Sequence, residues 1–141
     1  MKILQNREAV NIPAHEIVVS FTGIVIYGQQ IGRKIGFPTA NLSVEQDVEL
    51  AHGVYGVTVE IDSREYKGVI HVGVKPTFHK QAETVHYEVH LFDFAENLYG
   101  KRLRVHVCFF VRAEKSFAGV DELIAQIRRD VDETRKRFEQ S

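Results

Sequence analysis

The sequence predicts a small, mainly β domain, a sandwich or a barrel, that ends in one helix. Before residue 112 the chain consists mostly of short runs that are rich in β-branched and aromatic residues or that alternate between apolar and polar residues. After residue 119 apolar residues instead recur at the spacing of an α-helix. The chain has 141 residues, 44% of them hydrophobic, which suffices for the core of one domain.

Six runs have the composition or the alternation of a β-strand, at 16–27, 39–44, 53–62, 65–74, 84–94 and 103–111. Gly23 in the first run indicates a bulge or bend, and Pro76 excludes a central strand from the loop before the fifth. A polar corner at Asp62-Ser63-Arg64 predicts that the third and fourth runs form a hairpin. The alternating residues of the sixth run are expected to share one face: Leu103, Val105, Val107, Phe109 and Val111.

The C-terminal segment predicts a helix of about five turns. Its apolar residues at helical spacing are Leu123, Ile124, Ile127, Val131 and Phe138. Acidic residues lie near its start and basic residues near its end, which complements the helix dipole. We expect the apolar stripe to be buried against the open end of the β structure.

Composition excludes several classes of protein. A net charge of -1 leaves no basic surface for general nucleic-acid binding. A single cysteine, Cys108, excludes an internal disulfide framework and a cysteine-rich zinc site. The N-terminus lacks the apolar region of a secretory signal, and no apolar run approaches membrane-spanning length. We therefore expect a cytoplasmic protein that binds neither nucleic acid nor membrane.

The stretch at 32–42, Gly-Arg-Lys-Ile-Gly-Phe-Pro-Thr-Ala-Asn-Leu, differs from a plain structural segment. Gly32 and Gly36 permit close approach of the backbone to a ligand, and the cations Arg33 and Lys34 lie between them. Pro38 biases the residue before it towards an extended conformation. The spacing is not that of a P-loop, which needs a Lys-Ser/Thr step into a helix.

Thr39 and Asn41 follow this loop in a segment predicted to be extended, where they point to the same side. Their hydroxyl and amide oxygens suit a nucleotide that carries Mg²⁺, because Mg²⁺ prefers oxygen ligands and often takes only a few from the protein. The alternative is a surface turn in which both side chains bond to nearby backbone. Composition alone favours the turn, since Gly, Pro, Thr and Asn are common turn residues.

The same stretch resembles the signature of the riboflavin kinase (flavokinase) family, which includes the kinase module of the bifunctional riboflavin kinase/FAD synthetases. Other blocks resemble the family's pattern in the same order. They are Gly-Val-Tyr at 53–55, Val-Gly-Val-Lys-Pro-Thr-Phe at 72–78, Tyr-Glu-Val-His-Leu-Phe-Asp-Phe at 87–94, Leu-Tyr-Gly-Lys at 98–101, Val-Arg-Ala-Glu-Lys-Ser-Phe at 111–117, and the segment 123–130. Two departures are Tyr27, where the family often has His, and Gly119, where a Ser often caps the final helix.

The resemblance implies a six-stranded antiparallel Greek-key β-barrel with a C-terminal α-helix packed on it. The domain would comprise residues 16–141, preceded by an N-terminal extension at 1–15. The implied reaction is ATP-dependent phosphorylation of the riboflavin 5'-hydroxyl to give FMN, with Mg²⁺ as the metal. The expected partners are riboflavin/FMN and ATP/ADP, and the chain would be a monomer or part of a larger bifunctional chain. It is too short to hold the adenylylating domain as well.

The family's site residues carry over onto matching positions of this chain. The nucleotide contacts would be Gly32, Arg33, Lys34, Gly36, Phe37, Pro38, Thr39, Asn41 and Tyr99. The metal ligands would be Thr39 and Asn41. Glu88 would be the catalytic base that accepts the proton of the ribityl hydroxyl, although an isolated strand glutamate is more commonly an exposed partner of a cation. Tyr99 could instead be only a corner tyrosine.

The flavin ring needs a flat apolar slot with a few polar groups at its edge. Arg112, Glu114 and Phe117, together with the helix that begins near Val120, are the candidates for this slot. Alternatively, Phe117 merely packs the helix onto the barrel.

Two other functions are compatible with parts of the sequence. His86, Glu88 and His90 share one strand face and could form the metal centre of a cupin-like enzyme. Three ligands on one strand are a poor fit to facial coordination, however, and the 32–42 stretch would then have no role. The other alternative is a catalytically silent flavin- or nucleotide-binding regulator on the same fold, against which the intact Thr39, Asn41 and Glu88 argue.

Overall fold

A computed structural model of the protein describes residues 18–26, 37–75 and 84–140. The strands in these ranges are β1 Val19–Ile26, β2 Ala40–Val44, β3 Gly53–Ile61, β4 Arg64–Lys75, β5 Thr84–Leu91 and β6 Arg102–Ala113, and the helix is α1 Val120–Glu139. The strands form a closed barrel in the order β1-β2-β5-β4-β3-β6, and every neighbouring pair is antiparallel. Because β2 lies beside β5 rather than β3, four of the strands form a Greek key. The predicted fold class is confirmed.

The local geometry of the chain explains where strands end. The hairpin between β3 and β4 turns at Asp62 and Ser63, whose φ values of 50° and 72° fit the two-residue turn that matches strand twist. β5 was predicted to continue to residue 94 but ends at Leu91. Asp93 has a φ of 57°, a left-handed conformation that breaks the strand and turns the chain towards the helix.

The barrel interior holds the main core. Its buried side chains alternate along the strands with outward-facing ones. They are Phe21, Val25, Leu42, Tyr55, Val57, Val59, Ile61, Ile70, Val72, Val89, Leu91, Leu103, Val105 and Val107. Leu103, Val105 and Val107 share the interior face as predicted, but Phe109 and Val111 do not. The register between β3 and β6 shifts at two places, and each shift leaves one residue of β6 without a partner on β3, first Cys108 and then Val111. The extra residue at Cys108 moves Phe109 to the other face of the strand.

A second apolar cluster lies outside the barrel, under the helix. Val54 and Val69 from the barrel's outer surface pack against Phe92 and against Val131 of α1. The predicted helix is confirmed, but the expectation that it packs against the open end of the barrel is wrong. It lies on the outer surface, over β4 and β6. The reason is that β3 and β4 carry apolar residues on both faces, so the outer face also requires a cover.

Gly56 allows the C-terminal end of the helix to be anchored. A Cβ at this position would lie 2.4 Å from the ring of Phe109, so only glycine lets that ring lie flat on the barrel surface. Phe138 of α1 packs on Phe109 with 5.1 Å between ring centroids. Among the described residues, no helix is both long enough and apolar enough to cross a membrane.

Candidate functional site

A row of polar side chains crosses the outer surface of the barrel. Asn41 on β2 is the register partner of Glu88 on β5, and Glu88 is in turn the partner of His71 on β4. Their chain neighbours Leu42 and Val89 are buried in the barrel core, so the row itself faces outward. Directly opposed residues of antiparallel strands have Cβ atoms about 5 Å apart. The sequence-predicted ligand Asn41 and the sequence-predicted base Glu88 are therefore neighbours.

Asn41 carries a buried side-chain oxygen whose partner is not explained by the described residues. Its Oδ1 is shielded from solvent and has no hydrogen-bond partner in the described part of the chain. Leaving a buried acceptor unsatisfied costs about 1–3 kcal/mol, so such an atom needs an explanation. An oxygen that is held ready for a hard cation provides one, because Mg²⁺ takes neutral oxygen ligands. Thr39 is half-buried and, since Ala40 between them contacts the barrel core, lies on the same outward side as Asn41.

Glu88 is half-buried, and its surroundings differ in part from the prediction. Alternation along a strand that runs to residue 94, as the sequence predicts, would place Phe92 and Phe94 on the same face as Glu88, where they would shield its carboxylate. Phe92 instead follows the end of β5 and packs in the cluster under the helix. Phe94 packs on Tyr66, at 4.8 Å between ring centroids, and against the barrel core. Within the described residues, Glu88 therefore lies in a polar row between Asn41 and His71.

His90 holds the segment that leads into the predicted metal ligands. Its Nδ1 lies 2.8 Å from the carbonyl oxygen of Pro38 and donates to it, since a carbonyl can only accept. Its ring makes an edge contact with Phe37, at 5.6 Å between centroids. Sequence reasoning missed this role, because it considered His90 only as a metal ligand.

The alternative metal centre at His86, Glu88 and His90 does not form. The Cα atoms of residues four apart on a strand are about 13 Å apart, and side chains on one face of a strand project roughly in parallel. The ring nitrogens of His86 and His90 therefore do not converge on one ion, which needs its ligand atoms at about 2 Å. Within residues 18–26, 37–75 and 84–140, no group of three or more His, Cys, Asp or Glu side chains could hold a metal ion. The geometry argues against the cupin-like alternative.

The candidate flavin segment follows β6 and runs next to this row. Glu114 has its carboxylate 3.7 Å from both His52 and His71, so it reaches the row at His71. Gly73 makes room for it, because a Cβ there would lie 2.5 Å from the Glu114 carboxylate. Phe117 is half-buried, with its ring 5.8 Å from the Arg112 guanidinium.

Arg112 contacts the helix rather than an open slot. Its Nε donates to both carboxylate oxygens of Asp130, at 2.9 and 3.0 Å, and Asp130 is buried. Gln126 donates to the same carboxylate at 2.9 Å. The pair therefore fastens α1 to the end of β6, and the flavin contact expected of Arg112 stays a prediction.

The remaining predicted residues are distributed as follows. Tyr99 is 57% exposed on a turn whose Gly100 N–H donates to the Val25 carbonyl. The next residue on β1, Ile26, is the register partner of Asn41, so this turn lies one strand away from the row. The predicted nucleotide contacts Gly32, Arg33, Lys34 and Gly36 lie outside the described residues.

Burial raises the pKa of Cys108 to about 11, so its thiol stays protonated and is no nucleophile at neutral pH.

Fold and site together define a closed Greek-key barrel that carries a row of polar side chains on its outer surface and is covered on one side by a helix. Residues 16–138 match the Flavokinase family, described as riboflavin kinase, and the chain belongs to this family.

Similar proteins agree with this membership. The bifunctional riboflavin kinase/FMN adenylyltransferase of Haemophilus influenzae is 44% identical over 117 residues, which are 82% of this chain and 37% of that protein. The RNA-binding riboflavin kinase RibR of Bacillus subtilis is 39% identical over 117 residues, 83% of this chain and 50% of that protein. This chain thus spans half or less of the length of these relatives.

Solved structures share the fold. One is described as a macrolide-efflux protein from Streptococcus pneumoniae and has a TM-score of 0.77 at 36% identity. The match covers 85% of this chain and 39% of that chain. The riboflavin kinase from Trypanosoma brucei has a TM-score of 0.56 at 23% identity, covering 83% and 74%. The second likeness concerns the fold alone.

Proposed function

We propose that this chain transfers the γ-phosphoryl group of ATP to the 5'-hydroxyl of riboflavin, giving FMN and ADP. The observation that carries the proposal is that Asn41, whose buried Oδ1 has no hydrogen-bond partner among the described residues, is the register partner of Glu88 on the next strand. Phosphoryl transfer needs a metal-bound phosphate and an oriented nucleophile side by side. Membership of the riboflavin kinase family supports this substrate pair. We assign the activity to residues 16–141 and leave 1–15 as an extension.

Thr39 and Asn41 would hold Mg²⁺ through their hydroxyl and amide oxygens. The ion would neutralise negative charge on the phosphates of the nucleotide, which is where phosphoryl transfer needs it. Neutral protein ligands suffice, because the nucleotide itself contributes the negative charge. Phe37 and Pro38 precede the two ligands, and we place them beside the nucleotide, together with Tyr99 on the neighbouring turn.

Glu88 would accept the proton of the attacking hydroxyl. A general base must lie within hydrogen-bond reach of the proton that it removes, so the ribityl chain would end over the Asn41–Glu88 pair. The flavin ring would then extend towards the segment after β6, where Glu114 reaches the same row through His71. Phe117 would offer an aromatic surface at the edge of that slot.

The direct test is the formation of FMN by purified protein supplied with riboflavin, ATP and Mg²⁺. We expect FMN and ADP in equal amounts, with no product when Mg²⁺ is chelated. Tight flavin binding without nucleotide turnover would instead identify a silent regulator, and the proposed reaction would be wrong.

Replacing Asn41 with alanine should raise the Mg²⁺ concentration needed for half-maximal rate by at least about tenfold. Even outer-shell partners of a metal typically contribute 10–100-fold to its affinity, and Asn41 is proposed as a direct ligand. The Michaelis constant for riboflavin should change little. Ser43→Ala is a matched control, because Ser43 is exposed on the same outward face of β2. Unaltered turnover at limiting Mg²⁺ would show that Asn41 is not a ligand.

Replacing Phe117 with alanine should weaken riboflavin binding more than ATP binding, by about tenfold for loss of an aromatic contact worth roughly 1–1.5 kcal/mol. Dissociation constants for both substrates and the melting temperature should be measured together. Equal loss of both affinities in step with the melting temperature would assign Phe117 to packing of the helix alone.

A further inference from the structure

We propose that His90 is a positioning residue for the metal-nucleotide site, acting through the Pro38–Thr39 peptide. This inference rests on the proposed function, because it takes Thr39 and Asn41 as the metal ligands. It adds a residue to which neither the motif nor the proposed reaction assigns a task. The bond that carries it joins two segments 52 positions apart in the chain, from His90 Nδ1 to the Pro38 carbonyl oxygen, at 2.8 Å.

The hydrogen bond fixes the backbone immediately before Thr39. The proline ring already locks φ of Pro38, and the bond to its carbonyl oxygen fixes the plane of the peptide that joins Pro38 to Thr39. On the other side, Ala40 is held in the β2–β5 ladder opposite Val89. Thr39 itself precedes the strand and lacks that support. The hydrogen bonds between β2 and β5 do not reach the Pro38–Thr39 peptide, and His90 fixes its orientation instead. In this way His90 orients the Thr39 hydroxyl relative to Asn41.

The imidazole is itself held in place. Its edge meets the ring of Phe37 at 5.6 Å between centroids and the ring of Phe92 at 5.9 Å. Phe92 is a buried member of the cluster under α1, which also contains Val131, and Phe37 packs against that cluster. Because Nδ1 carries the proton that is donated to Pro38, the tautomer is set by this bond. The covering helix thus fixes the His90 ring, and the ring fixes the ligand segment.

Two substitutions separate the hydrogen bond from the packing. His90→Phe keeps an aromatic ring between Phe37 and Phe92 but removes the donor. His90→Asn loses the ring but retains an amide N–H close to the position of Nδ1. Phe138→Leu is the control for packing, since Phe138 of α1 belongs to a separate apolar cluster with Phe109 and its replacement leaves Phe37, Phe92 and the bond to Pro38 in place.

Affinity for Mg·ADP, measured by calorimetry, and the melting temperature should be determined for each variant alongside FMN formation. We expect His90→Phe to bind Mg·ADP about tenfold more weakly, at the lower end of outer-shell effects, with a nearly unchanged melting temperature. His90→Asn should recover most of the affinity but melt at a lower temperature. Phe138→Leu should also melt lower, with Mg·ADP affinity within about twofold of the wild type.

The outcomes distinguish this inference from the proposed function. If wild-type protein forms FMN and His90→Phe binds Mg·ADP as tightly as the wild type, only the inference is overturned. It is also overturned if all three variants lose affinity in proportion to their melting temperatures. If the wild type forms no FMN but its Mg·ADP affinity depends on His90 as described, the reaction is wrong and the positioning role stands. A wild type that neither forms FMN nor binds Mg·ADP overturns both, and one that forms FMN without measurable Mg·ADP affinity overturns the inference alone.

Discussion

Replacing Glu88 with glutamine is expected to lower kcat by about 10²–10⁴-fold, the usual contribution of a general base. Glutamine retains the shape of the side chain and its capacity to accept a hydrogen bond through the carbonyl oxygen, but it cannot take a proton at neutral pH. Because the transition state of phosphoryl transfer is largely dissociative, little proton transfer is needed early, and the loss should lie nearer the lower end. The Michaelis constants for both substrates should change little.

The measurement is steady-state FMN formation with riboflavin and Mg·ATP both saturating. Glu65→Gln is a suitable control, because Glu65 is an exposed glutamate on β4, the strand next to β5 in the barrel. The comparison also needs Mg·ADP affinity, since Glu88 is the register partner of Asn41 and a change there could act through the metal. A Glu88→Gln protein with near-normal kcat would remove Glu88 from the mechanism.

Replacing Arg112 with leucine is expected to lower the free energy of unfolding by about 3 kcal/mol. Asp130 is only 4% exposed, and its carboxylate accepts from Arg112 Nε at 2.9 and 3.0 Å. Removing one partner of a buried pair leaves the other charge uncompensated, which typically costs about 3–5 kcal/mol. We expect the lower end of this range, because Gln126 continues to donate to the carboxylate.

Urea denaturation of the single variant and of the double variant Arg112→Leu/Asp130→Leu would measure this effect. The double variant should recover much of the lost stability, because replacing both charges with apolar residues leaves no buried charge unpaired. The result decides between two roles for Arg112. Unchanged stability together with weakened riboflavin binding would restore the flavin contact that the sequence suggested and contradict the helix-fastening role.

Local sequence was sufficient for most of the secondary structure. Alternation identified the strands, and the change to helical spacing identified α1, because each pattern repeats over several residues of one segment. The turn at Asp62 and Ser63 was also recognisable from its polar residues. The bend at Asp93 and the register shifts of β6 could not be recognised from the sequence. Neither interrupts the run of apolar residues, and a register shift is defined only once two strands are paired.

The residues of the candidate site could be identified from the sequence, but their arrangement could not. The motif resemblance singled out Thr39, Asn41 and Glu88, and these assignments stay predictions until they are tested. That Asn41 is the neighbour of Glu88 depends on β2 pairing with β5 instead of β3. Nothing within either strand specifies that partner, because closing the barrel depends on contacts far apart in the chain.

The sequence by itself determined a mainly β domain with one C-terminal helix and pointed to a family through ordered motifs. Only the tertiary structure decided that the helix covers the outer surface, that Arg112 pairs with Asp130, and that His90 contacts Pro38. The physical reason is that periodicity reports which face of a segment is apolar, but not which other segment will cover it. Partners of buried polar groups are chosen by the three-dimensional packing that brings them within about 3 Å.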